Sequence, residues 1–317
     1  IYPLMADFTF YGGIYRDVNL VVADTLHFDL LDHGSSGVYL FQEDVSDESA
    51  TVRLDARLVN ETDATSEARL WIEVTGQAGQ SVYCRGKEVT LTSGVTTETV
   101  KFTIDAPILW HGVKDPYLYS ISVKLEMFND TVDDVVLPLG LRYYHVDPEK
   151  GFFLNGEPYP LRGVSRHQDR KDMGWAITKA EHDEDMALIR EVGANTIRLA
   201  HYQHDQYFYD LCDQYGIITW AETPFISRMS KTDVTGKNAK SQMVELIRQN
   251  LHHPSICFWG IQNEIQIGGD KQAVRDLVHD LNVLTKQEDP TRLTTMANVM
   301  FVENDDAYNQ ETDLIGY

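Results

Sequence analysis

Cysteine is scarce in this chain. Only Cys84, Cys212 and Cys257 occur, far apart and without a C-x-x-C pair, so nothing points to a disulfide framework or a thiolate zinc site. Long hydrophobic runs are missing too, since no stretch approaches the roughly 18 apolar residues that a membrane-crossing helix needs. The opening residues carry no basic segment followed by an apolar one, as a secretory leader would. No G-x-G-x-x-G follows a predicted strand, which argues against a dinucleotide fold. Positive charge is also in deficit: 27 Lys and Arg stand against 49 Asp and Glu, a formal charge of −22 over 317 residues. Such a surface repels phosphate backbones and anionic lipid, making nucleic acid and membranes poor partners. The acidic residues are spread along the chain, as on the solvated surface of a soluble protein.

What is present is enough for ordinary cores, with 43% hydrophobic residues and a length that allows two domains. From about 23 to 147 the apolar period is two. Val52, Leu54, Ala56 and Leu58 alternate with polar residues, as do Ala68, Leu70, Ile72 and Val74. The pattern returns at Val100, Phe102 and Ile104, and at Tyr119, Ile121, Val123 and Leu125. Half-buried antiparallel strands at this spacing predict an immunoglobulin-like β-sandwich, with Asn60–Ser66 as a hairpin loop. Before it, residues 1–22 hold one β-like run, Val18–Val22, after the Gly12-Gly13 turn.

Near Asp147-Pro148 short apolar runs begin to alternate with helical patterns. Strands are predicted at Tyr159–Val164, Thr196–Ala200, Ile217–Ala221, Ile256 onward and Leu293–Ala297, with another starting at Leu314. Helices fall between them. The first is capped by Thr178, with Glu181 completing a capping box and Gly193 at its end. A second runs from Asp205 to Gly216, and a third surrounds Ser241–Leu251. Alternating units of this length imply right-handed crossovers in a parallel sheet, here an incomplete (β/α)8 barrel over 148–317. Cys212 and Cys257 fall on packed faces, where thiols are inert.

The most telling stretch is Ser255–Glu264, an apolar run that stops abruptly at Asn263 and Glu264. Barrel chemistry sits at the carboxyl ends of strands. There the first four strands would gather Arg166, His167 and Asp169, then Arg198, His201 and Tyr202, then Glu222, then Asn263 and Glu264, with Trp259 near. Cations and hydrogen-bonding groups around carboxylates, beside aromatic faces, suit a neutral polyhydroxylated ligand such as a sugar. Each residue alone has a duller explanation: a lone histidine is more often structural, and Glu222 could simply pair with Arg198. Their convergence at one rim favours chemistry.

Arg248–Glu264 resembles the acid/base signature of glycoside hydrolase family 2, the family of bacterial β-galactosidases, β-glucuronidases and β-mannosidases. Asn195–Tyr202 is similar to a second family signature, Gly163–Asp169 to its first barrel strand, and Phe10–Asp17 to the end of its amino-terminal jelly roll. The likeness implies three parts: the end of a sugar-binding jelly roll at 1–22, the sandwich at 23–147, and strands one to about six of a catalytic barrel at 148–317. It implies Glu264 as general acid/base and Asn263 as the partner of the sugar 2-hydroxyl. His167 and His201 become active-site histidines, Arg198 a holder of carboxylates, Glu222 a supporting acid and Asp169 a contact for outer hydroxyls. Ile226 and Arg228 stand where well-known relatives carry magnesium ligands, so neither metal nor cofactor is expected.

The family's nucleophile is a Glu on a later strand, beyond Tyr317. The chain is therefore expected to be a fragment, inactive alone, of a retaining β-galactosidase from the bacterial cytoplasm or periplasm. Its ligand would be a β-galactoside or related oligosaccharide, and self-association would cover the open barrel edges. A β-glucuronidase, a β-mannosidase or a non-catalytic carbohydrate-binding protein are the alternatives.

Overall fold

The computed structural model describes residues 6, 8–233, 235–269, 272–300, 302 and 307–316. The period-two region forms β1 (Leu26–Phe28), β2 (Val38–Val45), β3 (Ser49–Asn60), β4 (Ser66–Thr75), β5 (Ser81–Leu91), β6 (Gly94–Asp105), β7 (Tyr119–Met127) and β8 (Asp130–Leu139). One sheet has β3 as its spine, with β6 along one edge and β1 and β2 sharing the other. The second sheet runs β5-β4-β7-β8, and every pairing in both is antiparallel. Rows such as Leu54 and Leu58, Leu70 and Ile72, and Ile121 and Leu125 are buried between the sheets. Each such aliphatic side chain contributes about 1.5–3 kcal/mol of transfer free energy.

Two local expectations give way. Asn60–Ser66 is no hairpin loop, because β3 and β4 lie in different sheets and the segment crosses between them. The Asn60 side chain organises that crossing, donating to the carbonyls of Ala64 and Leu91 and accepting from the Thr62 N–H. Val18–Val22 forms no strand, and Val18, Leu20, Val21 and Val22 are exposed. A β-like sequence needs a neighbour to satisfy its backbone, and none pairs with it among the described residues.

A small antiparallel sheet of β9 (Tyr144–Asp147), β10 (Gly151–Leu154) and β11 (Glu157–Pro158) joins the two halves. Then follow β12 (Gly163–Arg166), α1 (Lys179–Glu191), β13 (Thr196–Leu199), α2 (Gln206–Tyr215), β14 (Ile218–Glu222), α3 (Lys237–Asn250), β15 (Ile256–Asn263), α4 (Gln272–Glu288), β16 (Leu293–Ala297) and β17 (Leu314–Gly316). The strands β12 to β17 are parallel and lie side by side in chain order, which is six strands' worth of a TIM barrel.

The first of these strands begins later than predicted. Before Gly163 the Tyr159 N–H donates to the Phe152 carbonyl of β10, and the Asn195 side chain accepts from the Arg162 N–H and donates to the Pro160 carbonyl. Thr178 and Glu181 form the predicted capping box, and Asp205 caps α2 through the Tyr207 N–H. α3 starts before the predicted Ser241, because the Asp233 carboxylate accepts from the N–H groups of Lys237 and Asn238. No helix among the described residues is long and apolar enough to cross a membrane.

The two halves are tied at the foot of β15. Arg142 donates to the carbonyls of Pro254 at 2.7 Å and Ile256 at 2.8 Å, and the Tyr144 hydroxyl donates to the Cys257 carbonyl at 2.7 Å. The Trp110 indole donates to the Asp213 carbonyl at 2.9 Å. Cys212 and Cys257 are buried, and burial pushes both thiols up, as inert packed cysteines require.

Candidate active site

Parallel pairing in register brings the carboxyl ends of four consecutive strands to one rim. His167 follows β12, His201 and Tyr202 follow β13, Glu222 closes β14, and Asn263 closes β15 with Glu264 next. The pleat sends Arg198, Trp220 and Gly260 to one face of the sheet, while Ile197, Leu199 and Ala221 pack into the helical layer.

Glu222 is the hub. It is 1% exposed, and its two oxygens are fully engaged. Oε1 accepts from Arg198 Nη2 at 3.0 Å and from His201 Nδ1 at 2.6 Å, while Oε2 accepts from Arg198 Nε at 3.1 Å. The short bond to a carboxylate assigns the proton to His201 Nδ1, so the 3.3 Å approach of Arg198 Nη2 to that nitrogen is contact without a hydrogen bond. His201 Nε2 is thereby the atom left for a ligand. Arg198 Nη2 also donates to Asn263 Oδ1 at 2.6 Å, which fixes the amide orientation and leaves Asn263 with two N–H donors. One guanidinium thus aligns a carboxylate and an amide, and the carboxylate in turn orients the imidazole.

Gly260 makes room for this hub. A Cβ there would lie 2.2 Å from Trp220 Nε1 and 2.6 Å from Glu222 Cβ. A glycine inside a strand is a known sign of such close approach, and it is the sequence signal that could have been read for this position.

Glu264 differs from Glu222 in every respect. Its carboxylate has no hydrogen bond or ion pair among the described residues, and its side chain is half-buried. The backbone turns into the left-handed region, with φ 50° and ψ 30°, a conformation that costs a non-glycine residue about 1–2 kcal/mol. The turn is held by the Glu264 N–H donating to the Ala297 carbonyl at 2.8 Å and by the Ile267 N–H donating to the Glu264 carbonyl at 3.0 Å. Strain of this kind, kept by surrounding bonds, accumulates where a side chain must be aimed.

His167 sits beside the hub, its ring centroid 5.2 Å from that of His201 in an edge arrangement. The Tyr202 hydroxyl accepts from the Gln168 N–H and lies within hydrogen-bond distance, 3.3 Å, of His167 Nδ1. Burial pushes the Tyr202 phenol up to about 12. Phe8 covers the group, with ring centroids 5.2 Å from His167, 5.8 Å from His201 and 5.3 Å from Tyr202. Phe8 was not singled out from the sequence, because nothing in its neighbourhood shows that this early segment folds back onto the barrel.

Two expectations about the rim need correction. Trp259 is fully buried on the helical side, donating to Asp289 at 2.8 Å, because strand alternation turns it away from the face that carries Phe258 and Gly260. Arg166 also turns away. It donates to Asp185 at 2.7 Å and 3.0 Å, and its guanidinium stacks on Phe208. Asp169 is exposed in the loop after β12 and makes no hydrogen bond to the cluster among the described residues. The structure brings together His167, Arg198, His201, Glu222 and Asn263, with Glu264 adjoining, and leaves Asp169 apart. Among the described residues no three His, Cys, Asp or Glu side chains are grouped as a metal would require.

Comparison with known proteins bears on this arrangement. Residues 146–315 match the family description "Glycosyl hydrolases family 2, TIM barrel domain", and residues 38–142 match "Glycosyl hydrolases family 2". The chain is 46% identical over 324 residues to a β-glucuronidase of Bacteroides fragilis, covering 98% of this chain and 46% of that protein. It is 28% identical over 319 residues to a β-galactosidase of Thermoanaerobacter pseudethanolicus, covering 97% of this chain and 40% of that one. The crystal structure of Bacteroides uniformis β-glucuronidase superposes with a TM-score of 0.92 at 33% identity, over 99% of this chain and 39% of that one. The chain therefore spans less than half the length of these relatives.

Proposed function

The chain belongs to glycoside hydrolase family 2, and from that premise we propose that its barrel rim supplies the acid/base half of a retaining β-glycosidase, a β-glucuronidase in the first instance. The observation that carries the reading is Glu264, a carboxylate with no hydrogen bond or ion pair among the described residues, next along the chain to the oriented amide of Asn263. In this scheme Glu264 protonates the departing oxygen and then takes a proton from the incoming water. Asn263 donates to the sugar 2-hydroxyl, and His201 Nε2 and His167 contact the ring where charge develops. Arg198 and Glu222 hold these groups in place and do not react.

A retaining mechanism needs a second carboxylate about 5–5.5 Å from the first. Glu222 is a poor candidate, since both its oxygens are committed to Arg198 and His201. The nucleophile is therefore assigned to a strand outside this chain, as in the family, and the 317 residues alone should not turn over aryl β-glycosides. The choice of glucuronide over the galactoside expected from the sequence rests on the names of the relatives. Within the same family, a β-galactosidase is the second reading, supported by its more distant relative.

The test uses the enzyme that contains this chain together with the rest of its barrel. Glu264→Gln should lower kcat/KM for an alkyl β-glycoside by about 10²-fold or more, the range of general acid catalysis, and far less for a nitrophenyl glycoside. Equal losses on both would refute the acid/base role. A rate for nitrophenyl β-glucuronide below that for the β-galactoside would move the substrate to the second reading.

A further inference from the structure

We propose that Gln262 is a positioning residue: its side chain caps the turn after Glu264, in place of Glu264 itself, and so keeps the Glu264 carboxylate open to a substrate. The inference rests on the acid/base reading of Glu264. Ile265–Gly268 form one turn of 3-10 helix, with Glu264 at the N-cap. The first N–H groups of a helical turn have no partner inside it, and the N-cap side chain is the usual acceptor. Glu264 does not take that part, since it makes no side-chain cap bond. Instead Gln262 Oε1 accepts from the Ile265 N–H at 3.1 Å. Both residues are fully buried, so water does not compete for the bond.

Gln262 cannot turn its amide round. Its Nε2 donates to the Ala297 carbonyl at 3.1 Å and to Asn298 Oδ1 at 2.8 Å. Flipping it would set N–H against N–H and oxygen against two oxygens. Asn298 is fixed in turn, its Nδ2 donating to Asn309 Oδ1 at 2.7 Å and its backbone N–H to the Gly316 carbonyl at 2.8 Å. The buried amides of Asn309, Asn298 and Gln262 thus run head to tail up to the N–H next to Glu264. None carries a charge, so the relay adds no ion beside a group that must lose and regain a proton. The Ala297 carbonyl also accepts from the Glu264 N–H at 2.8 Å, which ties cap and capped residue to one point of β16.

Without the Gln262 oxygen the Ile265 N–H is left buried and unpaired, a costly state. The Glu264 carboxylate stands where a capping side chain stands, and it would be drawn onto the N–H groups of the turn. There it no longer faces a departing oxygen.

The experiment uses the enzyme that contains this chain with the rest of its barrel, acting on the methyl and nitrophenyl forms of whichever β-glycoside it hydrolyses faster. Gln262→Met, close in volume and without the amide, should lower kcat/KM about tenfold for the methyl glycoside, as misplacing a general acid does, and less than about twofold for the nitrophenyl one. The alkaline limb of the methyl-glycoside pH profile should move to lower pH, because N–H donors hold a carboxylate ionised. In a Glu264→Gln background Gln262→Met should cost nothing further, since it acts only through that carboxylate. Asn298→Leu removes one bond of the relay and leaves the cap, so it should show the same split at about threefold. It replaces Gln262→Met if thermal melts find that variant unfolded. With Glu264→Gln alone sparing the nitrophenyl substrate, four results would each overturn the role of Gln262 and leave the acid/base reading standing: equal losses on the two glycosides, no loss, an unmoved alkaline limb, or a further loss on top of Glu264→Gln. Equal losses for Glu264→Gln itself would overturn the acid/base reading, and the positioning role with it.

Discussion

Removing the Glu222 carboxylate would leave Arg198 and His201 facing each other with no counter-charge. Breaking a buried pair from one side costs about 3–5 kcal/mol, and the partial exposure of Arg198 places Glu222→Ala toward the lower end. Urea unfolding of the chain should show that loss, with Glu222→Gln costing less because one acceptor survives. A change under about 0.5 kcal/mol, the scatter of ordinary surface substitutions, would mean that the hub is not formed. The ion pair between Glu222 and Arg198 could be anticipated from the sequence, because strand ends of adjacent βα units meet at one rim. The direction of Arg166 and Trp259 could not. Which face a side chain takes depends on the pleat and on irregularities in strand register, such as those between β14 and β15 and between β15 and β16, and a one-residue shift reverses the answer.

Elements were most legible at their helix caps. Thr178, Asp205 and Gly216 each have a local chemical reason to sit at a helix end, and each does. The extent of α3 depends on Asp233 reaching past Gly236, and the start of β12 on the Asn195 amide, both contacts that periodicity does not encode. Gly216 adds something the cap alone does not tell. Its φ is 74°, and a Cβ would lie 2.1 Å from the backbone carbonyl of Gly112, in the sandwich loop between β6 and β7. Gly193 has φ 76° with nothing within 4 Å. Gly193→Ala should therefore cost only the left-handed penalty, about 1–2 kcal/mol, and Gly216→Ala distinctly more. Equal denaturation midpoints for the two variants would show that the close approach is absent.

For the molecule as a whole, a buried histidine sets an acid limit. His204 is enclosed, with Nδ1 accepting from Arg166 at 3.1 Å and Nε2 donating to the Ala200 carbonyl at 3.0 Å. Burial first, then the Arg166 charge, holds its pKa well below 6.5. Above pH 6.5 both folded and unfolded states are neutral at this site. Below it the unfolded chain takes a proton that the folded chain refuses, so stability falls as pH falls. The urea midpoint should drop from pH 7.5 to 5.5, and His204→Gln, which can keep both hydrogen bonds, should flatten that drop. Identical slopes would remove His204 from the account. At this scale the division into a sandwich and a parallel sheet was readable from the change of hydrophobic period, whereas the pairing of β3 with three different strands was not. The bonds at the foot of β15 lay equally out of reach, and they matter for what happens at its far end. Arg142 and Tyr144 clasp the very backbone that terminates in Asn263 and Glu264. The sandwich is thus a mounting bracket for the proposed proton donor: loosen its bolts, and the aim of a distant carboxyl drifts although no atom near it has been touched.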